Sequence, residues 1–287
     1  MANCYIAYPN RVDSTATFSG GSWVSTLPAS NMGTRPLKQV ARSTDTDVNS
    51  TRFTVRLSDQ RPIKTLSIIN MNLSMSATVQ FKVYTGITDP VLAYDSGAVP
   101  AYPGGTAAFG TIQWGSDRWW GGLPSAEDAK LFNNNTIHIL PDVVTGTKVD
   151  VLITDTANIQ GFVQIGRMFV GDGWSPDFNM SYGASIGYES RTAVEEVRSG
   201  AEYFDIQAGH RTVQFKLDHL DRSEAFGRLF DIQKSVDVHG EVLFLWDMDD
   251  PTYVSRTSFL GRLRKLDPIE QPYYDRFSTS FEIKELL

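Results

Sequence analysis

Polar and apolar residues alternate with a period of two along much of this chain. In "TRFTVRL", Thr51 to Leu57, the residues Phe53, Val55 and Leu57 share one face, and Arg52, Thr54 and Arg56 share the other. "TVQFKVY", Thr78 to Tyr84, repeats this with Val79, Phe81 and Val83, and "KVDVLIT", Lys148 to Thr154, with Val149, Val151 and Ile153. "LSIIN" and "TIHIL" are shorter runs of the same kind, and "GFVQIGRMFVG" closes the series at Gly171. Alternation of this type marks antiparallel strands with one face on a core and one in water. No amphipathic helical period precedes Trp174. The pattern predicts an all-β sandwich over residues 1–172.

After Trp174 the strands resume in "RTAVEEVRSG", "AEYFDIQ", "RTVQFKL", "EVLFLW", "SRTSFLGRL" and "RFSTSFEIKEL". One helix breaks the series. Asp221-Arg222-Ser223-Glu224 has capping-box spacing, and Ala225, Leu229, Ile232 and Val236 follow at i, i+4, i+7 and i+11. This predicts a helix over 223–236 inside a β-rich, barrel-like α+β domain spanning 173–287. The junction is placed at "GDGWSPDFN", Gly171 to Asn179, for its glycines and proline.

Charge supports two units. Residues 1–172 carry 13 Lys/Arg against 13 Asp/Glu, whereas residues 173–287 carry 13 against 20, so the whole net charge of −7 lies in the second unit. A concentrated basic patch, the footprint of a nucleic-acid binder, is missing, and specific nucleic-acid binding is not expected. "GRLRKL", Gly261 to Leu266, reads as the wet face of a strand. Cys4 is the sole cysteine, which excludes an intrachain disulfide and a thiolate zinc set. "MANCYIAYPN" lacks the basic and apolar regions of a signal peptide, and no apolar run is long enough for a membrane-spanning helix. The expectation is a protein made and assembled in a cytoplasm.

Catalytic constellations are weak. "GASIG", Gly183 to Gly187, has the letters of a nucleophile elbow around Ser185, but the following "YESRTAVEE" alternates like a strand where the elbow needs a helix. His138, His210, His219 and His239 form no ligand spacing, and His210 and His219 read as solvated. "DMDD", with Asp247, Asp249 and Asp250, lacks the glycine and closing glutamate of a calcium loop. Glu195 and Glu196 point to opposite faces of a strand. No phosphate-cradling loop is present. No enzyme activity, cofactor or metal is expected.

The segment from Thr85 to Asn135 interrupts the first unit and is rich in Gly, Pro, Tyr and Trp. Long irregular insertions are generally functional or interfacial. It holds Trp114, Trp119 and Trp120, with Arg118, Asp117 and Gln113 as nearby polar groups. Capping the sandwich, docking on a neighbouring subunit and stacking on a sugar all fit such a loop. The expectation is a mixed role, with one tryptophan anchoring the loop and another at an interface.

The run from Gln39 to Tyr84, "QVARSTDTDVNSTRFTVRLSDQRPIKTLSIINMNLSMSATVQFKVY", resembles the galactose-binding-like, discoidin-type jelly roll. There an "ARS" turn precedes strands of the types F-x-V-x-L, I-x-x-L-x-I-x-N and V-x-F-x-V-Y. "VDVLITDTANIQGFVQIGRMFVG" is similar to that family's closing strands. The whole chain, from "YPNRVDSTATFSGGSWVSTLPASN" to "FSTSFEIKEL", is similar to distal tail proteins of long-tailed bacteriophages. That resemblance implies a structural virion protein of the tail tip or baseplate, joining the tail tube to tip or receptor-binding proteins. It also implies a homo-hexameric ring built through the second domain, with the other domain projecting, in some members toward a host glycan. A carbohydrate-binding module engaged in host adhesion is the alternative.

Overall fold

The computed structural model describes residues 3–13, 15–87, 89–103, 114–115, 122, 124, 126–129, 132–250 and 253–287. The protein is mainly β, as the alternation predicts. Strands β1 (Tyr5–Ala7), β2 (Thr17–Ser19), β3 (Ala41–Arg42), β4 (Phe53–Met71), β5 (Thr78–Thr85), β6 (Val91–Asp95), β7 (Val99–Pro100), β8 (Asn135–Thr154) and β9 (Gln164–Gly171) come first. They are followed by β10 (Gly173–Trp174), β11 (Ser185–Glu189), β12 (Ala193–Glu196), β13 (Glu202–Asp205), β14 (His210–Leu220), β15 (Val242–Leu245), β16 (Phe259–Leu263), β17 (Glu270–Tyr273) and β18 (Arg276–Glu285).

Two long strands build the sandwich. β4 and β8 pair along most of their lengths, but their register breaks between Arg56 and Arg61 and again between Ile63 and Thr65. On one side of the breaks, Phe53–Arg56 pair with 148–151 of β8, and β8 passes the sheet on to β5, β6 and β7. On the other side, Thr65–Ile69 pair with 135–139 of β8, and β4 passes the sheet on to β9 and β3. The same strand pair therefore supplies both layers. Phe53, Val55, Phe81, Val83 and Val151 pack against Ile68, Ile165, Met168 and Val170 in one shared core.

The second sheet runs β10-β1-β15-β16-β18-β14-β11, with β17 paired to β18. Its strand β1 comes from the extreme N-terminal part of the chain, where the expected boundary at 172/173 would assign it to the sandwich. The register is Tyr5↔Leu245, Ile6↔Phe244 and Ala7↔Leu243 on one side, and Ile6↔Trp174 and Ala7↔Gly173 on the other. Tyr8 N donates to Asp172 O at 3.1 Å, so β1 and β10 form a hairpin whose connection is the entire sandwich. The expected junction at Gly171–Asn179 is accordingly structured. Trp174 is buried in the second core, and a Cβ on Gly173 would collide with the Tyr5 ring.

One face of this sheet is covered by the predicted helix. It runs as Arg222–Glu224, a π-helical turn Ala225–Leu229, and Phe230–Val236, and buries Ala225, Leu229, Ile232 and Val236 against Phe215, Phe244 and Phe281. Short helical turns also occur at Val48–Thr51, Ala126–Ala129 and Val254–Thr257. The opposite face lies on the sandwich, where Tyr5, Ala7, Leu243, Leu245 and Leu260 meet Leu37, Ile69 and Phe169. This is why β9 is buried almost throughout rather than alternating.

Polar links cross the same junction. Tyr5 Oη lies 2.6 Å from Thr65 Oγ1. Arg167 on β9 is fully buried and pairs with Glu241 at 2.8 Å and with Asp13. Asn10 Nδ2 donates to Glu241 Oε2 and to Met168 O. Removing one partner of so buried a pair strands the other charge, at about 3–5 kcal/mol.

Candidate functional site

The insertion begins as ordinary sheet. β6 and β7 lie within the Thr85–Asn135 segment and pair with β5. Tyr102 and Phe132 flank the stretch that lies mostly outside the described residues, and these two buried rings meet edge to face at 6.5 Å. They border an open cleft of about 570 Å³ at that end of the sandwich, walled by Asn72–Met75 and Ala157–Gln160.

The loops around the cleft are tied by side chains. Tyr102 Oη donates to Leu73 O at 3.0 Å, and burial pushes its phenol up to about 12. Asn72 Nδ2 donates to Gln160 Oε1 at 2.8 Å, and Asn158 Nδ2 donates to Asn72 O and to Asp155 Oδ2. The buried Asp155 carboxylate also accepts from Ser74 N and Ser74 Oγ. Asn72 Nδ2 also donates to Phe162 O and its Oδ1 accepts from Gln164 N, so its amide braces the rim, and the Tyr102 and Phe132 rings beside it are buried.

Of the tryptophans expected to form a site, Trp114 is 79% exposed. Trp119, Trp120 and Arg118 lie outside the described residues, as do Gln113 and Asp117.

A second feature stands away from the cleft. Between β11 and β14 the chain runs out as a two-stranded ribbon, with Val194 opposite Phe204 and Glu195 opposite Tyr203. Every residue of β12 and β13 is exposed, including Tyr203 at 64% and Phe204 at 57%. With Val197 and Ile206 also exposed, apolar side chains occupy a ribbon that carries Glu195, Glu196, Glu202 and Asp205 among them. The sequence reads these segments as strands of the second domain. The structure forms the strands but, among the described residues, gives them no core, because local alternation reports the faces of a strand and not what covers them.

The other candidate groups resolve individually. Ser185 opens β11 and pairs with Gln214, so its segment continues as a strand and forms no strand-to-helix elbow. His210, expected in solvent, is 2% exposed, and its Nε2 lies 3.1 Å from Glu189 Oε2. That hydrogen bond is the main reason the Glu189 carboxyl is held below its ordinary range. His219 is exposed, as expected, and stacks on Tyr273. Asp247 Oδ1 accepts from Asp249 N, and Asp250 Oδ1 accepts from Tyr253 N, which makes "DMDD" a hydrogen-bonded turn.

No family model matches the chain, and no curated protein matches it. Among solved structures it is similar to the family 32 carbohydrate-binding module of NanJ from Clostridium perfringens, in complex with galactose. The identity there is 12%, over 58% of this chain and 99% of that one, with a TM-score of 0.37. It is also similar to the first family 32 module of a family 31 glycoside hydrolase from the same organism, at 10% identity over 55% and 94% of the two chains, TM-score 0.35. A third similar structure is a Ruminococcus gnavus GH29 fucosidase in complex with fucose, at 8% identity over 59% of this chain and 27% of that one, TM-score 0.37.

Proposed function

We propose that the chain is a non-enzymatic structural subunit of a homo-oligomeric assembly, of the virion tail-tip kind that its sequence resembles. The observation that carries the assembly part is the ribbon at 190–209. A two-stranded ribbon that no third strand or packed face supports among the described residues is marginal in water, and this one exposes Val194, Tyr203 and Phe204. Its two legs, about ten residues each, reach up to about 30 Å, which suits an arm laid across a neighbouring copy. The six-fold ring, the tail-tube and receptor-binding partners, and location in a virion tail rest on the sequence resemblance. An acidic second domain suits a ring lumen through which DNA passes without sticking.

The test joins Glu189 to His210, which already face each other across the ribbon, through an Asn-Gly turn in place of residues 190–209. The expected product keeps its melting temperature and sediments as a monomer where the intact chain forms a ring. An intact chain that is monomeric at all concentrations, or a shortened chain that still assembles, would refute the proposal.

A second reading, carbohydrate binding by the sandwich, is favoured by the cleft that Asn72, Gln160 and Tyr102 line. A glycan array probed with the intact chain, Asn72→Ala and Gln160→Ala should show a shared specificity that weakens about tenfold in each variant. Equal array signals for all three proteins would remove the cleft from consideration.

A further inference from the structure

The second domain carries a cluster of aromatic rings that neither reading uses. Strand β14 is irregular between Leu217 and Leu220, where its register against β18 shifts, and His219 sits in that bulge with a positive φ of 64°. Bulges re-aim side chains, and non-glycine residues held at positive φ cost energy that surrounding structure must support. Here the support is visible. Arg276 Nη1 donates to His219 O at 3.2 Å, and the imidazole stacks on Tyr273 at 6.3 Å with only 15° between the planes.

Phe178, from the segment after β10, meets His219 edge to face at 6.3 Å, and the Arg276 guanidinium lies 6.0 Å over the Phe178 ring. Three distant pieces of sequence therefore bring Phe178, His219, Tyr273 and Arg276 together. His219 is exposed, Tyr273 is 66% exposed and Phe178 is 52% exposed.

Hydrogen-bonding groups flank the rings. Asp218 accepts from Ser181 Oγ at 2.6 Å and pairs with Lys216 at 3.0 Å, and Glu270 begins the strand that ends in Tyr273. The mixture discriminates among ligands. Asp218 and Glu270 disfavour a phosphate-rich chain. The rings offer far less surface than the roughly 800 Å² per partner that a stable protein contact needs. Small aromatic faces bordered by a guanidinium donor and carboxylate acceptors match a sugar ring, with C–H bonds on its face and hydroxyls around its rim.

We infer that Phe178, His219, Tyr273 and Arg276 form a seat for a neutral pyranose, separate from the sandwich cleft and independent of the arm. The rings carry the sugar's apolar face, Arg276 and Asp218 take its hydroxyls, and the bulge at His219 holds the imidazole in place before ligand arrives.

Saturation-transfer NMR on the intact protein tests this, with methyl glycosides of galactose, glucose and mannose as probes. Saturation is expected to reach the ring C–H protons of at least one glycoside. Tyr273→Ala and Phe178→Ala should each weaken its apparent affinity about tenfold, or about 1.4 kcal/mol. Both side chains are more than half exposed, so the melting temperature should stay unchanged. His219→Asn, which tolerates positive φ, should weaken binding without unfolding the bulge. Asn72→Ala and the arm deletion should leave this binding intact. Three results would overturn the inference: no saturation transfer to any of the three glycosides, transfer that persists in Tyr273→Ala and Phe178→Ala, or variants that lose assembly while keeping glycoside affinity.

Discussion

Cys4 and Tyr5 show how much of the second domain depends on the first few residues of the chain. Both side chains are enclosed, and burial pushes the Cys4 thiol from its ordinary 9.0 to about 12 and the Tyr5 phenol from 10.0 to about 12. The Tyr5 hydroxyl, hydrogen-bonded to Thr65, stands where the two sheets meet. Between the ordinary and the shifted values the unfolded chain holds fewer protons than the folded one, so stability falls as pH rises. Stability should be level up to about pH 9 and decline from there toward pH 12. Denaturant midpoints measured across that range check it, and a midpoint that holds steady to pH 11 would contradict it. At pH 8 Cys4 should resist iodoacetamide in the native protein and react once the chain is denatured.

The secondary-structure elements divide by how local their causes are. Phe53, Val55 and Leu57 alternate with Arg52, Thr54 and Arg56, and the strand forms there because alternation is a property of the strand itself. The helix was equally legible, since Asp221 and Glu224 form the capping box that their spacing implies. Asp221 Oδ1 accepts from Glu224 N at 2.7 Å, and Glu224 Oε2 accepts from Asp221 N. That backbone hydrogen bond, with one from Ser223, holds the Asp221 carboxyl below its ordinary 3.8. Its contribution is therefore present above about pH 4 and lost as pH falls through the lowered value. Asp221→Ala should lower the melting temperature at pH 7 by a few degrees, and Asp221→Asn should restore most of it while removing the acid dependence. An alanine variant as stable as the parent would mean the cap is idle. What alignment of residues within a strand cannot convey is pairing. "YIA" has both faces buried and so no alternation, and nothing near Tyr5 points to partners at Trp174 and Leu245. The ring cluster was hidden for the same reason, since Phe178, His219 and Tyr273 are scattered in sequence and meet only through the bulge in β14.

At the scale of the whole molecule, the order of the chain and the order of the sheets disagree, and this makes a prediction opposite to the boundary read from charge. β1 lies inside the second sheet between β10 and β15, so removing residues 1–8 takes away the strand that joins β10 to the rest of that sheet and leaves the sandwich core whole. The loss uncovers Trp174, Leu243 and Leu245 and deletes Tyr5 and Ile6, large side chains worth about 1.5–3 kcal/mol each in burial alone. Stability margins of whole domains are about 5–15 kcal/mol, so the second domain should fail. The sandwich keeps β2 through β9 and the core around Phe53, Phe81 and Val151. Limited proteolysis of the truncated chain should therefore leave a resistant fragment of roughly residues 12–171, while 172–287 is digested. The emission of Trp174 and Trp246 should shift to the red as that half opens. A truncated chain in which 172–287 resisted the protease and the sandwich was lost would place the N-terminal segment with the sandwich after all, and the hairpin closed by β1 and β10 would be wrong.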